Sequence, residues 1–116
     1  MTDEAKSLTQ VLLDHHRNVC VPATDPNDPD PYTIPYKILC ERAGVPWLTQ
    51  SVGHFLQQTA EWCDTKGWPP LNSLAVNADT RRPGEGYENA PNCSLVDWHD
   101  QVMACIRFRG YPTTVS

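Results

Sequence analysis

The chain is most regularly patterned in residues 33–67, which read TIPYKILCERAGVPWLTQSVGHFLQQTAEWCDTKG. Pro35 stands at a favourable first helical position, and the apolar residues that follow predict a helix that ends at Gly44. A second apolar stripe begins near Thr49 with the i, i+3, i+4 spacing of a longer helix, and Gly67 ends it. Two helices joined by a short glycine-containing turn are typical of a helix-turn-helix.

The segments before this unit differ in character. Residues 1–20 carry an amphipathic pattern with acidic residues at the start, and they predict an N-terminal helix. Residues 21–32 are rich in proline and aspartate, a composition that excludes a helix or a central strand. They predict a solvated, extended linker.

The segments after the unit predict a wing and a last helix. Residues 71–77 alternate apolar and polar side chains and predict a strand, and residues 78–86 are turn material for a wing-like loop. Tyr87 is placed to return as a second short strand. Ser94 is placed to cap a helix over residues 95–108.

Together these elements predict an α+β, mostly helical fold: a winged helix-turn-helix-like small single domain over residues 33–112, with an extra N-terminal helix and a C-terminal helix. The length of 116 residues suits one domain. No apolar run approaches the roughly 20 residues of a membrane helix, and the charged N-terminus lacks signal-peptide character. Five cysteines at unpaired spacings predict reduced, mostly buried thiols. We therefore expect a cytoplasmic protein without a membrane partner.

The charge balance restricts how the chain could bind nucleic acid. Nine basic and fourteen acidic residues give a formal net charge of −5, the opposite of a broad phosphate-neutralising face. Binding would have to use a local patch with groove contacts from the longer helix and backbone contacts from its neighbours. The candidate residues are Tyr36, Gln50, His54, Gln57, Arg81 and Arg82. For the two arginines, an exposed turn balanced by Asp79 and Glu85 is the alternative.

No specific catalytic or metal-binding motif is present. His16 and Cys20 could share a helical face, but zinc sites need four ligands and usually a CxxC knuckle. Ser94 and His99 have spacings that fit a helix cap better than a catalytic triad. The glycines of residues 83–86 lack the lysine and the strand of a phosphate-binding loop. We therefore expect no enzyme activity, no cofactor, no metal ion and no small-molecule substrate.

Two stretches carry a resemblance to a known family. Residues 32–46, YTIPYKILCERAGVP, and residues 50–56, QSVGHFL, resemble the DNA-binding winged-helix domain of the O6-alkylguanine-DNA alkyltransferases and the alkyltransferase-like proteins. The similarity continues over residues 75–87 and covers about half of the chain. The resemblance implies a winged-helix scaffold and DNA as a partner.

Departures from the family pattern bear on function. By the resemblance, Tyr36 matches the family tyrosine that helps to rotate a nucleotide out of the duplex, whereas Gln50 replaces the intercalating arginine. The Pro-Cys-His-Arg loop falls on residues 71–74, so Asn72 stands at the position of the acceptor cysteine. Alkyltransferase-like proteins carry a tryptophan there and keep the histidine and the arginine; this chain keeps neither. The resemblance therefore implies the scaffold without alkyl transfer.

Two functions follow from these observations. The first is a small, non-enzymatic, winged-helix-like nucleic-acid-binding protein, with DNA as a possible partner. The alternative is an acidic protein-interaction module or inhibitor, of a phage or mobile-element type, that binds a host protein complex. For that alternative Trp47 and Trp68 are the candidate exposed anchors, since aromatic residues dominate interface hot spots. Trp62 and Trp98 are assigned to the core.

Overall fold

Four α-helices are the main elements of the computed structural model, which describes residues 1–115. They are α1 (Asp3–His15), α2 (Tyr36–Arg42), α3 (Val52–Lys66) and α4 (Trp98–Arg107). A two-stranded parallel sheet joins β1 (Ile34–Pro35) to β2 (Ala75–Val76). The prediction of a small, mostly helical α+β fold is therefore confirmed. No described helix is long and apolar enough to cross a membrane.

Helix α1 begins as its sequence predicts. The Thr2 side chain accepts a hydrogen bond from the Ala5 N–H, so it caps the helix. On the buried face, Thr9 Oγ1 donates to the Ala5 carbonyl at 2.7 Å, and it lies 2.7 Å from Thr59 Oγ1 on α3. Since the single Thr9 proton is used within α1, Thr59 donates to Thr9 and ties the two helices together.

The predicted helix ends at Gly44 and Gly67 are confirmed. Both glycines have positive φ, 76° and 71°, the left-handed conformation that only glycine adopts without strain. At the end of α3, the Trp68 N–H donates to the Cys63 carbonyl at 3.0 Å, which satisfies a carbonyl that the helix leaves free. The left-handed residue therefore stops the helix and turns the chain towards the core.

The start of α3 differs from the prediction. The α-helix begins at Val52, and a 3-10 helix over Pro46–Ser51 precedes it, so Gln50 lies on a 3-10 turn. Thr49 Oγ1 donates to the Pro46 carbonyl at 2.9 Å. Proline has no N–H, and a hydroxyl that bonds the backbone three residues back competes with α-helical bonding. These local bonds favour the tighter turn.

The strands predicted for the wing differ from the structure. Leu71–Leu74 form a 3-10 turn, and only Ala75–Val76 are a strand, paired in parallel with β1 instead of in a hairpin. Parallel strands need a crossover connection, which α2 and α3 supply. Tyr87 lies in another 3-10 turn, Glu85–Asn89, instead of a strand. All of residues 71–76 are buried, so the predicted alternation of buried and exposed side chains is absent from this stretch.

The last helix begins later than predicted. Helix α4 starts at Trp98, and its N-cap is Asp97, without a side-chain capping bond. Ser94, the predicted cap, instead donates its backbone N–H to Gln101 Oε1 at 3.3 Å. The apolar pattern from Leu95 predicted an additional turn that the chain uses as a loop.

The predicted linker packs against the domain. Pro26 and Pro29 are buried, and a 3-10 turn forms over Asp30–Tyr32. Arg107 Nη2 donates to the Pro26 carbonyl at 3.2 Å. Prolines cannot join a helix, but their rings still bury apolar surface, and composition alone does not reveal this packing.

The N-terminal helix ends in two buried histidines. After α1 the chain continues as a π-helix over His16–Cys20. His15 Nε2 donates to the Tyr32 carbonyl at 2.7 Å, and His16 Nε2 donates to the Cys105 carbonyl at 2.9 Å. Burial, the largest cause, lowers the pKa of both imidazoles. The neighbouring positive charges of Arg42 and Arg109, respectively, lower it further.

The cysteine prediction is confirmed. All five thiols are free and buried. Burial raises the pKa of Cys20 to about 12 and that of Cys63 to about 11. Both thiols therefore stay protonated and unreactive at neutral pH.

We expect acid to destabilise the fold through His15 and His16. Because burial keeps their pKa below the usual 6.5, the unfolded chain binds protons first as the pH falls. The stability contribution should be complete above pH 6.5 and decline as the pH drops through 6.5 towards the lowered values. Urea unfolding at a series of pH values measures this slope.

The double change His15→Gln and His16→Gln should flatten the pH profile, because the amide still donates but does not titrate. A profile of the unaltered chain that is level from about pH 7.5 to about pH 5.5 would contradict the prediction.

Gly67→Ala should destabilise the chain by about 1 kcal/mol, because alanine is strained at positive φ. Gly53 near the start of α3 is the control: its φ is not in the left-handed region, and an added Cβ meets nothing within 4 Å. Gly53→Ala should be neutral or stabilising. Equal unfolding free energies for the two variants would argue against the left-handed cap.

Candidate functional site

A groove of about 500 Å³ lies between two walls of the fold. One wall is the start of α3 with its preceding 3-10 turn, and the opposite wall is the segment 84–89. Four of the predicted nucleic-acid-binding residues line it: Tyr36, Gln50, His54 and Gln57. The fold therefore brings together side chains that the sequence places on three different turns.

Tyr36 holds the wall formed by residues 84–89 at its first residue. It is the first residue of α2 and is half-buried, and its hydroxyl accepts the Gly84 N–H at 2.9 Å. Its own hydroxyl proton has no protein partner among the described residues and is available for donation into the groove. Burial raises the pKa of Tyr36, so the hydroxyl stays protonated at neutral pH. Tyr36 therefore positions the Gly84 loop and offers one donor.

The amide and imidazole side chains on the other wall differ in exposure. Gln50 and His54 are exposed, whereas Gln57, one turn after His54, is half-buried at the base of the groove. None of the three side chains makes a hydrogen bond within the described residues. Their donors and acceptors are free to meet a ligand.

The wall formed by residues 84–89 is held by a buried chain of hydrogen bonds. Tyr87 OH donates to Gln101 Oε1 at 2.6 Å, so Ser73 Oγ, also 2.6 Å away, donates to Tyr87. Trp98 Nε1 donates to the Ser73 carbonyl at 2.9 Å. These bonds connect the wall to the buried 3-10 turn and to α4, so the groove has a rigid side.

The two predicted arginines lie outside the groove. Arg81 has a φ of 57°, and its Nη2 donates to the Asp30 carbonyl at 2.9 Å and to Thr33 Oγ1 at 3.2 Å. The Arg82 guanidinium lies 5.5 Å from the centre of the Trp98 ring. Both cations contact the protein itself, which the sequence does not indicate. A nucleic-acid role for them stays a prediction.

A recess with room for about one water molecule lies beside the groove and shares its border residues Tyr36, Gln57 and Tyr87. Asn72 lines this recess and is 3% exposed. Its Nδ2 donates to Cys93 Sγ at 3.6 Å, and its buried Oδ1 has no partner. An unpaired buried acceptor costs about 1–3 kcal/mol, so a donor in the recess would be bound favourably.

Sequence reasoning missed several residues that line the groove. They share short polar or absent side chains: Gly53, Asn77, Gly86 and Asn89. A Cβ built on Gly86 would lie 4.0 Å from the Gly53 Cα, so both walls lack a side chain where they approach each other. The close spacing of Gly84 and Gly86 was a signal, but it indicated only a turn.

The groove is close to electrically neutral. Lys37 and Glu85 are its only formally charged residues, with histidine counted as neutral, and their charges cancel. The net charge of −5 is therefore distributed elsewhere on the chain.

The two predicted aromatic anchors differ. Trp47 is 72% exposed. Trp68 is instead half-buried in an aromatic cluster, with ring centres 5.1 Å from Trp62 and 5.8 Å from Tyr111, both edge-on. Edge-to-face packing stabilises the C-terminal segment. It also buries much of the Trp68 side chain, so Trp68 is not the exposed anchor that the sequence predicts. Trp98 is 2% exposed, so its assignment to the core is confirmed.

Comparisons with protein-family models, with curated proteins and with solved structures found no match. Within residues 1–115, no group of three or more histidine, cysteine, aspartate or glutamate side chains is arranged to hold a metal ion. The groove offers amides and hydroxyls for hydrogen bonding, the imidazole of His54, and the opposite charges of Lys37 and Glu85.

Tyr36→Phe should loosen the wall that contains Gly84. The change removes the acceptor of the Gly84 N–H, and we expect a loss of about 1 kcal/mol in unfolding free energy and faster hydrogen exchange at that amide. Tyr32→Phe is the control, since the Tyr32 hydroxyl makes no hydrogen bond among the described residues. Unchanged exchange at Gly84 in the Tyr36 variant would show that the bond does not hold the loop.

Proposed function

We propose that this chain is a small, non-enzymatic, winged-helix-like nucleic-acid-binding protein, and that the groove between α3 and residues 84–89 is its contact surface. The observation that carries the proposal is the convergence of Tyr36, Gln50, His54 and Gln57 on one groove. In this proposal α2 and α3 form the helix-turn-helix, and the resemblance to the alkyltransferase winged-helix domains supports that arrangement.

The groove has the chemistry for contact with bases. Glutamine and asparagine side chains present a donor and an acceptor side by side, the pattern that reads base edges. Gln50, Gln57 and Asn89 supply such amides on both walls. Hydroxyls of Tyr36 and Thr49 can bond to bases, sugars or phosphates. The ligand is thus recognised mainly by neutral hydrogen bonds.

Phosphate contacts are few in this proposal. Lys37 is the one lysine or arginine that lines the groove, and Arg81 and Arg82 contact the protein itself. Each phosphate that a protein neutralises releases condensed counterions, so binding through one lysine depends only weakly on salt, with a log–log slope of about −0.7 to −0.9.

Fluorescence-anisotropy titrations with labelled oligonucleotides at low and at physiological salt test the proposal. The combined change Gln50→Ala and Gln57→Ala should weaken binding about tenfold or more, because two amide contacts are lost. His99→Ala, an exposed change outside the groove, should not alter the affinity. Lack of binding at micromolar protein and low salt would remove the proposal.

A matched pair of lysines tests where the phosphate contact lies. Lys37→Ala should reduce the salt slope towards zero, whereas Lys66→Ala, which changes the net charge equally outside the groove, should leave the slope unchanged. The double change Arg81→Ala and Arg82→Ala should reduce the free energy of unfolding by more than it reduces the free energy of binding to the oligonucleotide. A larger loss of affinity from the arginine pair than from the groove amides would place the interface on the loop instead.

A further inference from the structure

Trp47 is the exposed aromatic side chain next to the groove. At 72% exposure it stands apart from the other tryptophans, which are buried or half-buried. An exposed indole presents a large flat face on which a base can stack. The groove hypothesis above assigns it no role.

Trp47 and Gln50 share one side of the 3-10 helix, because side chains at i and i+3 of such a helix lie on the same side. Gln50 lines the groove, as do Thr49 and Ser51, whereas Trp47 does not line it. The indole is therefore placed next to the groove, one turn before Gln50.

The turn that carries Trp47 is anchored on both sides. Val45 is buried, and the Leu48 N–H donates to its carbonyl at 3.0 Å. Leu48 packs against the core, and Thr49 Oγ1 closes the turn on the Pro46 carbonyl. An aromatic ring on a fixed backbone loses little conformational entropy on binding, which suits a stacking platform.

Charge selects between double-stranded and single-stranded ligands. A duplex carries about one negative charge per 1.7 Å of axis and covers the faces of its bases, so an acidic protein with a neutral groove is repelled without gaining stacking. An unpaired strand has lower charge density and exposes its bases, which aromatic side chains and neutral amides can contact.

We infer that the groove binds unpaired nucleotides, as in a single strand, a loop or a bulge, and that Trp47 stacks on the base that follows the one held at Gln50. This inference rests on the proposed nucleic-acid function and names its substrate class. Contact with bases depends little on salt, and this weak dependence separates the inferred binding mode from binding to the phosphate backbone.

Three labelled probes test it by anisotropy: a single strand of about 12 nucleotides, the blunt duplex of the same sequence, and an abasic strand of equal length. The unaltered chain should prefer the single strand to both others. Trp47→Leu should weaken single-strand binding between about 5-fold and 150-fold, and Trp47→Phe should lose less, because phenylalanine can still stack. Val96→Ala, at a residue 90% exposed outside the groove, should change nothing.

Each outcome is decisive. If the unaltered chain binds nucleic acid but the duplex or the abasic strand binds as tightly as the single strand, the inference fails and the proposed function stands. If Trp47→Leu keeps full affinity for the single strand, the inference also fails and the proposed function stands. The indole would then be assigned to a protein partner. If no probe binds, the proposed function fails as well. Because the probe comparison uses the unaltered chain, it tests the inference even if a Trp47 variant folds poorly.

Discussion

Ser73 is the point on which the groove and the core both depend. Residues 71–76 are buried, and α1, α3 and α4 all contact the turn Leu71–Leu74 that begins this segment. A buried segment must pair its polar groups within the protein, because an unpaired buried group costs about 1–3 kcal/mol. Ser73 meets this demand with its hydroxyl on Tyr87 and its carbonyl on the Trp98 indole. The same bonds that satisfy the centre of the fold position one wall of the groove.

A second set of contacts holds the other end of the same wall and explains the charge pattern. Tyr36 accepts the Gly84 N–H, and Arg81 binds the Asp30 carbonyl, so a cation that could have met a phosphate holds the 21–32 segment and the turn in place. The remaining groove is neutral. Recognition by amides, hydroxyls and an exposed indole is consistent with an acidic chain, whereas phosphate-driven binding would oppose its net charge of −5.

Asn72 connects the resemblance to the structure. The resemblance places it where the alkyltransferases carry their acceptor cysteine, and the fold puts it in a recess beside the groove, with its Oδ1 unpaired. An amide cannot serve as a thiolate nucleophile, but it can accept a hydrogen bond from whatever enters. We therefore read the recess as part of a binding surface, and the family relationship itself stays a prediction.

The sequence by itself determined the positions of α1, α2 and α3 and the C-terminal ends of α2 and α3. Apolar spacing located the three helices, and Gly44 and Gly67 marked where α2 and α3 stop, because left-handed φ is a local property of glycine. Only the tertiary structure decided the parallel pairing of Ile34–Pro35 with Ala75–Val76, the packing of the proline-rich segment and the partners of the arginines. Those features depend on contacts between residues about 40 to 80 positions apart, which no local pattern encodes. The groove is partly of the same kind: the sequence placed Gln50, His54 and Gln57 on one helix, but it did not show that the segment 84–89 lies opposite them.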